Sequence, residues 1–218
     1  MGCLRWEESS STSSVRIRPE SPARRGQRIS KSGAGVTEAG SNEGPRPDEA
    51  CLELENIAES LRQSLSGDPW HGPSVAALLA DVTPGDATAR PIAGAHSIIE
   101  LVLHLAAWTQ EVASRLRGNP LGSPAVGDWL PCAGDAESVW ASARRSLDKA
   151  HADLLQLVRR LPAARLSDRV GDLREPALGT GVTVAATLAG LAQHNAYHGG
   201  QIAILKRALA AQRANGTA

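Results

Sequence analysis

Apolar side chains recur at intervals of three and four residues over most of the chain beyond residue 48, with polar residues between them. This spacing places the apolar residues on one face of a helix, and it predicts four long amphipathic helices. No stretch of any length alternates apolar and polar residues as a half-buried strand would. The predicted helices cover residues 48–67, 97–116, 135–161 and 183–209.

Segments rich in proline and glycine separate the predicted helices. A short helix is expected after Ser74, and Asp48 and Thr183 are suitable N-caps for the first and fourth long helices. Residues 119–134 predict an irregular crossover, and residues 162–182 predict a lid or a short hairpin. Four amphipathic helices with two long connections favour an all-α protein, a four-helix bundle.

The first 47 residues differ in composition from the rest of the chain. They are rich in serine, glycine, arginine and proline and contain few aliphatic side chains, which predicts a disordered N-terminal tail. Their basic residues are dispersed, acidic residues lie among them, and no apolar stretch of the kind found in secretion signals is present. We therefore expect a disordered tail over residues 1–47 and one folded domain over residues 48–218.

The balance of charges and the cysteine pattern exclude several kinds of partner and site. Lysine plus arginine and aspartate plus glutamate are equal at 23 each, which argues against nucleic acid or an anionic membrane as the partner. No uncharged run reaches the roughly 20 residues needed to span a bilayer. The three cysteines are widely spaced and lack a CxxC motif, so they predict reduced thiols. A soluble, cytoplasmic protein is expected.

Three histidines lie in the most apolar helical segments. His194 and His198 are four residues apart and share a helix face, so their imidazoles can converge on one point. This spacing alone also fits two hydrogen-bonded core residues. His104 is a third histidine in a second apolar helix, where an unpaired imidazole would be costly to bury. A shared metal ion with an open coordination position, as in catalytic sites, would satisfy all three.

The remaining polar candidates are open to more than one interpretation. His151 lies among charged residues and is expected to be solvated. Trp70 and His71, in a proline-bounded loop, would cover one end of the bundle or line a pocket, with surface packing as reasonable as ligation. Glu100 precedes His104 by one helical turn, and a solvated edge position is favoured over a hydrogen bond to an imidazole.

Several enzyme classes are excluded by single positions. A zincin peptidase carries glutamate directly after its first histidine, where this chain has Asn195. A di-iron carboxylate bundle needs glutamate three residues before its histidines, where this chain has Leu101 and Leu191. The chain also lacks a GxSxG elbow and a phosphate-binding glycine loop followed by lysine and serine or threonine.

Five motifs lie in order along the chain: Trp70-His71-Gly72-Pro73, Arg90-Pro91, the segment from His96 to His104, Trp108, and the segment from His194 to Ile202. Together they resemble the DinB-like superfamily of damage-inducible metalloproteins, over nearly all of the chain after residue 48. The resemblance implies a four-helix bundle of up-down-down-up connectivity and a divalent metal, commonly nickel or zinc with iron or manganese as further candidates, held by His104, His194 and His198. It also implies a possible homodimer, since relatives commonly dimerise.

Some members of that superfamily are S-transferases or isomerases that use a low-molecular-weight thiol. The resemblance therefore implies a metal-dependent thiol transferase, or a related hydrolase or isomerase, acting on a small electrophile. Tyr197 and Asn195 flank the predicted ligands and are candidates to hydrogen-bond an intermediate, while Trp108 is a candidate wall of the pocket; packing explains each equally well. The alternative function is a non-catalytic metal-binding stress-response protein, so catalysis itself stays open.

Overall fold

The computed structural model describes residues 47 to 216, and these residues form a mainly helical fold, as the hydrophobic pattern predicts. Four long helices make the bundle, and two short helices lie between the first two of them. The predicted N-terminal disorder lies outside the described residues. The helices are α1 (Pro47–Ser66), α2 (Val75–Leu79), α3 (Pro84–Thr88), α4 (Ile98–Leu116), α5 (Ala136–Arg159) and α6 (Val184–Gly216).

Of the two predicted caps, the one at α6 is confirmed: Thr183 accepts a hydrogen bond from the backbone N–H three residues further on. Asp135 accepts the equivalent hydrogen bond at the start of α5, where no cap was predicted. The prediction for α1 was wrong, because the helix already begins at Pro47 and Asp48 lies in its first turn. Proline is tolerated there because the first-turn N–H has no partner within the helix.

Glu100 has a different role from either one considered from the sequence. Its carboxylate accepts hydrogen bonds from the backbone N–H and the hydroxyl of Ser97, at 2.8 and 3.0 Å, and closes the N-terminus of α4. The guanidinium of Arg90 donates to the same carboxylate. The predicted solvated position was therefore wrong: the side chain is only 12% exposed, and it serves the helix cap.

The connectivity follows from the residues that each helix gives to two hydrophobic clusters, one toward each end of the bundle. The α1 and α6 helices reach the second cluster first, with Leu61 and Leu188, and the first cluster later, whereas α4 and α5 have the reverse order. Thus α4 and α5 are parallel to each other and antiparallel to α1 and α6, which is the predicted up-down-down-up arrangement. The first cluster includes Leu65, Leu101, Leu147 and Leu205, and the second includes Leu61, Val112, Leu154 and Leu188.

The connections differ in length because of this arrangement. The chain between α1 and α4 stays at one end, where Val75, Leu79 and Ala87 join the first cluster. Between α5 and α6, a 3-10 turn (Ala163–Ser167) precedes strand β1 (Arg169–Val170), which pairs antiparallel with β2 (Val182–Thr183). The short hairpin predicted for this segment is therefore present, at the other end of the bundle.

The connection between α4 and α5 has to return along the bundle, because these helices are parallel. The 19 residues of α4 span about 28 Å, and residues 117 to 135 must cover a comparable distance. A tight helical hairpin cannot do this, which agrees with the irregular crossover predicted from its glycines and prolines. The crossover consequently passes the middle of the bundle.

A layer of buried polar side chains separates the two hydrophobic clusters at that height, and each long helix contributes to it. His151 belongs to this layer and is 5% exposed, with its Nε2 3.0 Å from the Leu61 carbonyl oxygen, so the prediction that it is solvated was wrong. The charged residues near it in sequence occupy other faces of α5, while Leu147 and Leu154 share its face. The members of the layer include Ser64, Thr109, His151, Asn195 and His198.

None of the helices between residues 47 and 216 combines the length and the apolar character that a membrane crossing requires.

Candidate metal centre

Three histidines from two helices meet in the polar layer. His104 comes from α4, and His194 and His198 come from consecutive turns of α6. The Nε2 atom of His194 is 3.0 Å from the Nε2 of His104 and 3.0 Å from the Nε2 of His198. One nitrogen from each ring lies within 4.8 Å of the other two, so the three imidazoles form a group able to hold a metal ion.

Burial keeps the three imidazoles neutral. His104 and His198 are each 5% exposed, and His194 is partly buried. Burial lowers the pKa of His104 below its ordinary value, and burial together with the neighbouring imidazoles lowers the pKa of His194 to about 3 and that of His198 to about 4. At neutral pH all three rings therefore carry the free lone pair that metal coordination needs.

Hydrogen bonds at Nδ1 fix which nitrogen carries that lone pair. His104 Nδ1 lies 3.0 Å from the backbone carbonyl oxygen of Asp128, and His198 Nδ1 lies 2.7 Å from Oε1 of Gln201. Since a carbonyl oxygen only accepts, each Nδ1 carries the proton, and each Nε2 is bare. Both bare nitrogens point toward His194, which is the tautomer that a metal-ligating histidine adopts.

The donor set fits a divalent cation better than it fits a hydrogen-bonded trio. His194 Nε2 has at most one proton to give, yet it faces two bare nitrogens at 3.0 Å. A cation bound by three imidazoles would use all three lone pairs, and in a tetrahedral zinc site the ligand nitrogens are roughly 3.3 Å apart. The Nδ1 atom of His194 is buried without a hydrogen-bond partner, which a metal at its Nε2 would leave unchanged.

The crossover between α4 and α5 covers the histidines, and sequence reasoning missed this. The indole of Trp129 stacks on the ring of His104 with centroids 4.1 Å apart and on the ring of His96 at 3.6 Å. Oδ1 of Asp128 accepts the Trp108 indole N–H at 2.7 Å and lies 3.1 Å from His104 Nδ1. Neither Asp128 nor Trp129 belongs to a periodic pattern, and only the crossover's need to return past mid-bundle points to them.

The three predicted catalytic candidates occupy different positions. Trp108 lies beside His104 and His194, with ring centroids 6.4 and 6.5 Å away and its ring plane steeply inclined to both. Tyr197 is 57% exposed and lies at the rim, 5.0 Å from the His198 ring. Asn195 is 1% exposed, and its amide donates to the Ser64 hydroxyl at 3.0 Å, toward α1.

Two other sequence candidates lie away from the group. Trp70 is fully exposed and His71 is exposed, so neither covers an end of the bundle. Two concave surfaces of about 470 and 490 Å³ lie elsewhere, one between α1 and α6 and one beside the β1–β2 hairpin, and no histidine lines either of them. Two aromatic residues beside the three-histidine group are partly exposed, Trp129 at 36% and Tyr197 at 57%.

The fold and the site define a four-helix bundle with a three-histidine group at mid-height. The family model of the DinB superfamily matches residues 71–202, a range that contains all three histidines and most of the bundle. The chain belongs to the DinB superfamily, as its motifs indicate. No curated protein and no solved structure matches it significantly.

Proposed function

We propose that this DinB-superfamily protein binds one divalent metal ion through His104, His194 and His198. We further propose that it is a metal-dependent thiol S-transferase, or a related hydrolase or isomerase, that acts on a small electrophile. The observation that carries the proposal is the convergence of three neutral imidazoles, in two of which a hydrogen bond at Nδ1 leaves the Nε2 lone pair free. Three imidazoles leave coordination positions open for a reactant.

The proposed chemistry divides between the metal and the chain. When bound, a divalent ion supplies Lewis acidity, which lowers the pKa of a coordinated thiol or water and provides a nucleophile at neutral pH. Trp129 and Trp108 shield His104 from bulk solvent on two sides. In this proposal Tyr197, which is exposed beside His198, donates a hydrogen bond from its hydroxyl to an incoming small molecule.

An all-nitrogen donor set suits zinc or nickel, and it also accommodates iron or manganese. The low-molecular-weight thiol cosubstrate, the small-molecule substrate and a homodimer are proposals that rest on the family resemblance. A cytoplasmic location is also proposed. It is supported by the exposed, unpaired thiols of Cys51 and Cys132, which a reducing compartment keeps free.

Elemental analysis of the purified protein, followed by thiol-consumption assays with a panel of small electrophiles, tests the proposal. We expect about one divalent metal per chain and metal-dependent loss of thiol, both abolished in His194→Ala. A protein that binds no divalent metal would refute the whole proposal. Stoichiometric metal without turnover on any thiol and electrophile pair would refute the transferase.

A second candidate function is a non-catalytic metal-binding stress-response protein. The observation that favours it is the cover over the histidines, because Trp129 lies flat on His104 and neither of the two cavities is lined by a histidine. Under this alternative, Trp129→Ala exposes the metal but generates no thiol consumption. Under the transferase proposal, the wild-type protein already turns over.

A further inference from the structure

We propose that Asp128 is a positioning residue of the metal centre, which holds the His104 imidazole so that its Nε2 faces the metal. The inference rests on the proposed metal binding and extends it to a residue that lies in neither metal-bearing helix. Asp128 belongs to the crossover between α4 and α5, and it reaches His104 across the surface of the bundle.

Asp128 contacts the edge of the His104 ring that faces away from the other histidines. Its backbone oxygen accepts the His104 Nδ1–H at 3.0 Å, and its carboxylate Oδ1 lies 3.1 Å from the same nitrogen. The Nε2 atom of His104 points the other way, to His194. The carboxylate therefore acts through the imidazole and does not itself occupy a ligand position.

His104 needs this support more than the other two histidines do. His194 and His198 are one helical turn apart on α6, so the helix itself fixes their separation. His104 is the only ligand candidate from α4, and its ring can rotate about two side-chain torsions unless neighbours hold it. Asp128 fixes the edge of the ring, and Trp129, stacked at 4.1 Å, fixes its face.

Asp128 is itself held in place. The Trp108 indole N–H donates to its Oδ1 at 2.7 Å, and Trp108 lies one turn after His104 on the same helix. The aspartate thus links two residues of α4 to the crossover. A carboxylate that accepts the Nδ1–H of a ligating histidine fixes its tautomer and raises the basicity of the opposite nitrogen, and the loss of such a partner weakens metal binding by about 10- to 100-fold.

Competition titration of the full-length protein with Zn²⁺ and a chromophoric chelator tests this role in wild type, Asp128→Asn, Asp128→Ala and the control Asp172→Asn. We expect Asp128→Ala to weaken zinc affinity by about 10-fold, because the carboxylate is lost while the backbone oxygen of residue 128 still accepts from His104 Nδ1. The zinc affinity of Asp128→Asn is expected to lie between those of wild type and Asp128→Ala, since the amide oxygen of the asparagine still accepts from Trp108 while the charge is lost. Asp172 is exposed in the loop before β2, and its substitution should change nothing.

Two further readouts separate positioning from general stabilisation. The metal-free Asp128→Asn protein should keep the melting temperature of the wild type, while the absorption bands of its Co²⁺ form shift because the His104 ligand has become less basic. Equal zinc affinity and an unchanged cobalt spectrum in Asp128→Asn would overturn the inference, and this variant decides the matter if Asp128→Ala does not fold. A wild-type protein that binds neither ion refutes the proposed function instead.

Discussion

At the scale of single residues, the three histidines are expected to act as one unit. Replacement of His104, His194 or His198 by alanine should weaken divalent metal binding by more than roughly 100-fold, because a two-imidazole site forfeits a ligand that no neighbour replaces. Metal content by elemental analysis measures the effect. His71→Ala is the matched control, since that side chain is exposed in a loop. Full occupancy in the His194 or His198 variant would contradict the assignment.

His151 gives a separate prediction about pH. Burial lowers the pKa of this imidazole below its ordinary value, although the hydrogen bond to the Leu61 carbonyl raises it in part. The unfolded chain therefore binds a proton more readily than the folded one below about pH 6.5. The contribution of neutral His151 to stability is complete above that pH and is lost progressively as the pH falls below it.

His151→Gln removes this titration, while its amide can still donate to Leu61. We expect the free energy of unfolding of the wild type to fall more steeply than that of the variant between about pH 7 and about pH 5. Denaturant unfolding of both proteins with a chelator present measures the difference without a contribution from bound metal. Parallel pH profiles of the two proteins would show that folding does not change the pKa of His151.

The residue types of the site were accessible from the sequence, but their partners were not. Helical spacing placed His194 and His198 together, and an unpaired histidine in an apolar helix called for a common partner. The same reasoning failed for His151, because neighbouring charges were given more weight than the apolar stripe on its own face of α5. Asp128 and Trp129 escaped because loop residues have no period from which a face can be read.

At the scale of elements, a buried ion pair ties both long connections to α4. Arg115 and Glu111 lie one turn apart with side chains 2% and 7% exposed, and Arg115 Nε donates to the glutamate at 2.7 Å. The other guanidinium nitrogens donate to the backbone oxygens of Leu178 and Gly122, at 2.7 and 2.9 Å. One side chain thus fixes the hairpin segment and the start of the crossover.

Arg115→Ala should therefore cost about 3–5 kcal/mol of stability, because Glu111 would stay buried without its partner. Denaturant unfolding measures the cost. Lys149→Ala is the control: it breaks an ion pair of the same spacing with Asp153, but both side chains are exposed, and a loss of less than about 0.5 kcal/mol is expected. Similar losses in the two variants would show that burial of the Arg115 pair adds nothing.

The elements themselves were largely predictable, with the exceptions set by local chemistry. Long amphipathic stretches gave four helices whose ends lie within two residues of those observed, except that α6 continues to Gly216, seven residues beyond its predicted end. The short helix α3 was missed because it has no apolar period; it depends on reciprocal hydrogen bonds between Thr83 and Asp86 around Pro84. Glu100 was misplaced for a similar reason, since a capping glutamate and a surface glutamate look alike in a sequence.

At the scale of the whole molecule, the connectivity decides what surrounds the site. The parallel arrangement of α4 and α5 forces the crossover to return along the bundle, and this return brings Asp128 and Trp129 to the histidines. A simple up-down-up-down bundle with short hairpins would leave the same three histidines uncovered. Helix patterns alone do not distinguish these two topologies, so the cover could not be predicted without the connectivity.

The same architecture predicts how the molecule responds to loss of metal. The two hydrophobic clusters lie on either side of the polar layer and consist of apolar residues from all four long helices, so neither depends on the histidines for its packing. The metal-free protein should therefore stay folded. It should lose only the stabilisation that binding adds by mass action, about 2.7 kcal/mol at a free metal concentration 100 times the dissociation constant.

Thermal unfolding with added zinc and with a chelator measures this difference. We expect a cooperative transition in both conditions, at a lower temperature in the chelator, because the clusters remain buried when the ion leaves. His194→Ala, which lacks a ligand, should melt at the same temperature in both conditions. Loss of the cooperative transition in the chelated wild type would show that the ion organises the core, and the site would then be structural, contrary to an open centre built into a bundle that is already stable.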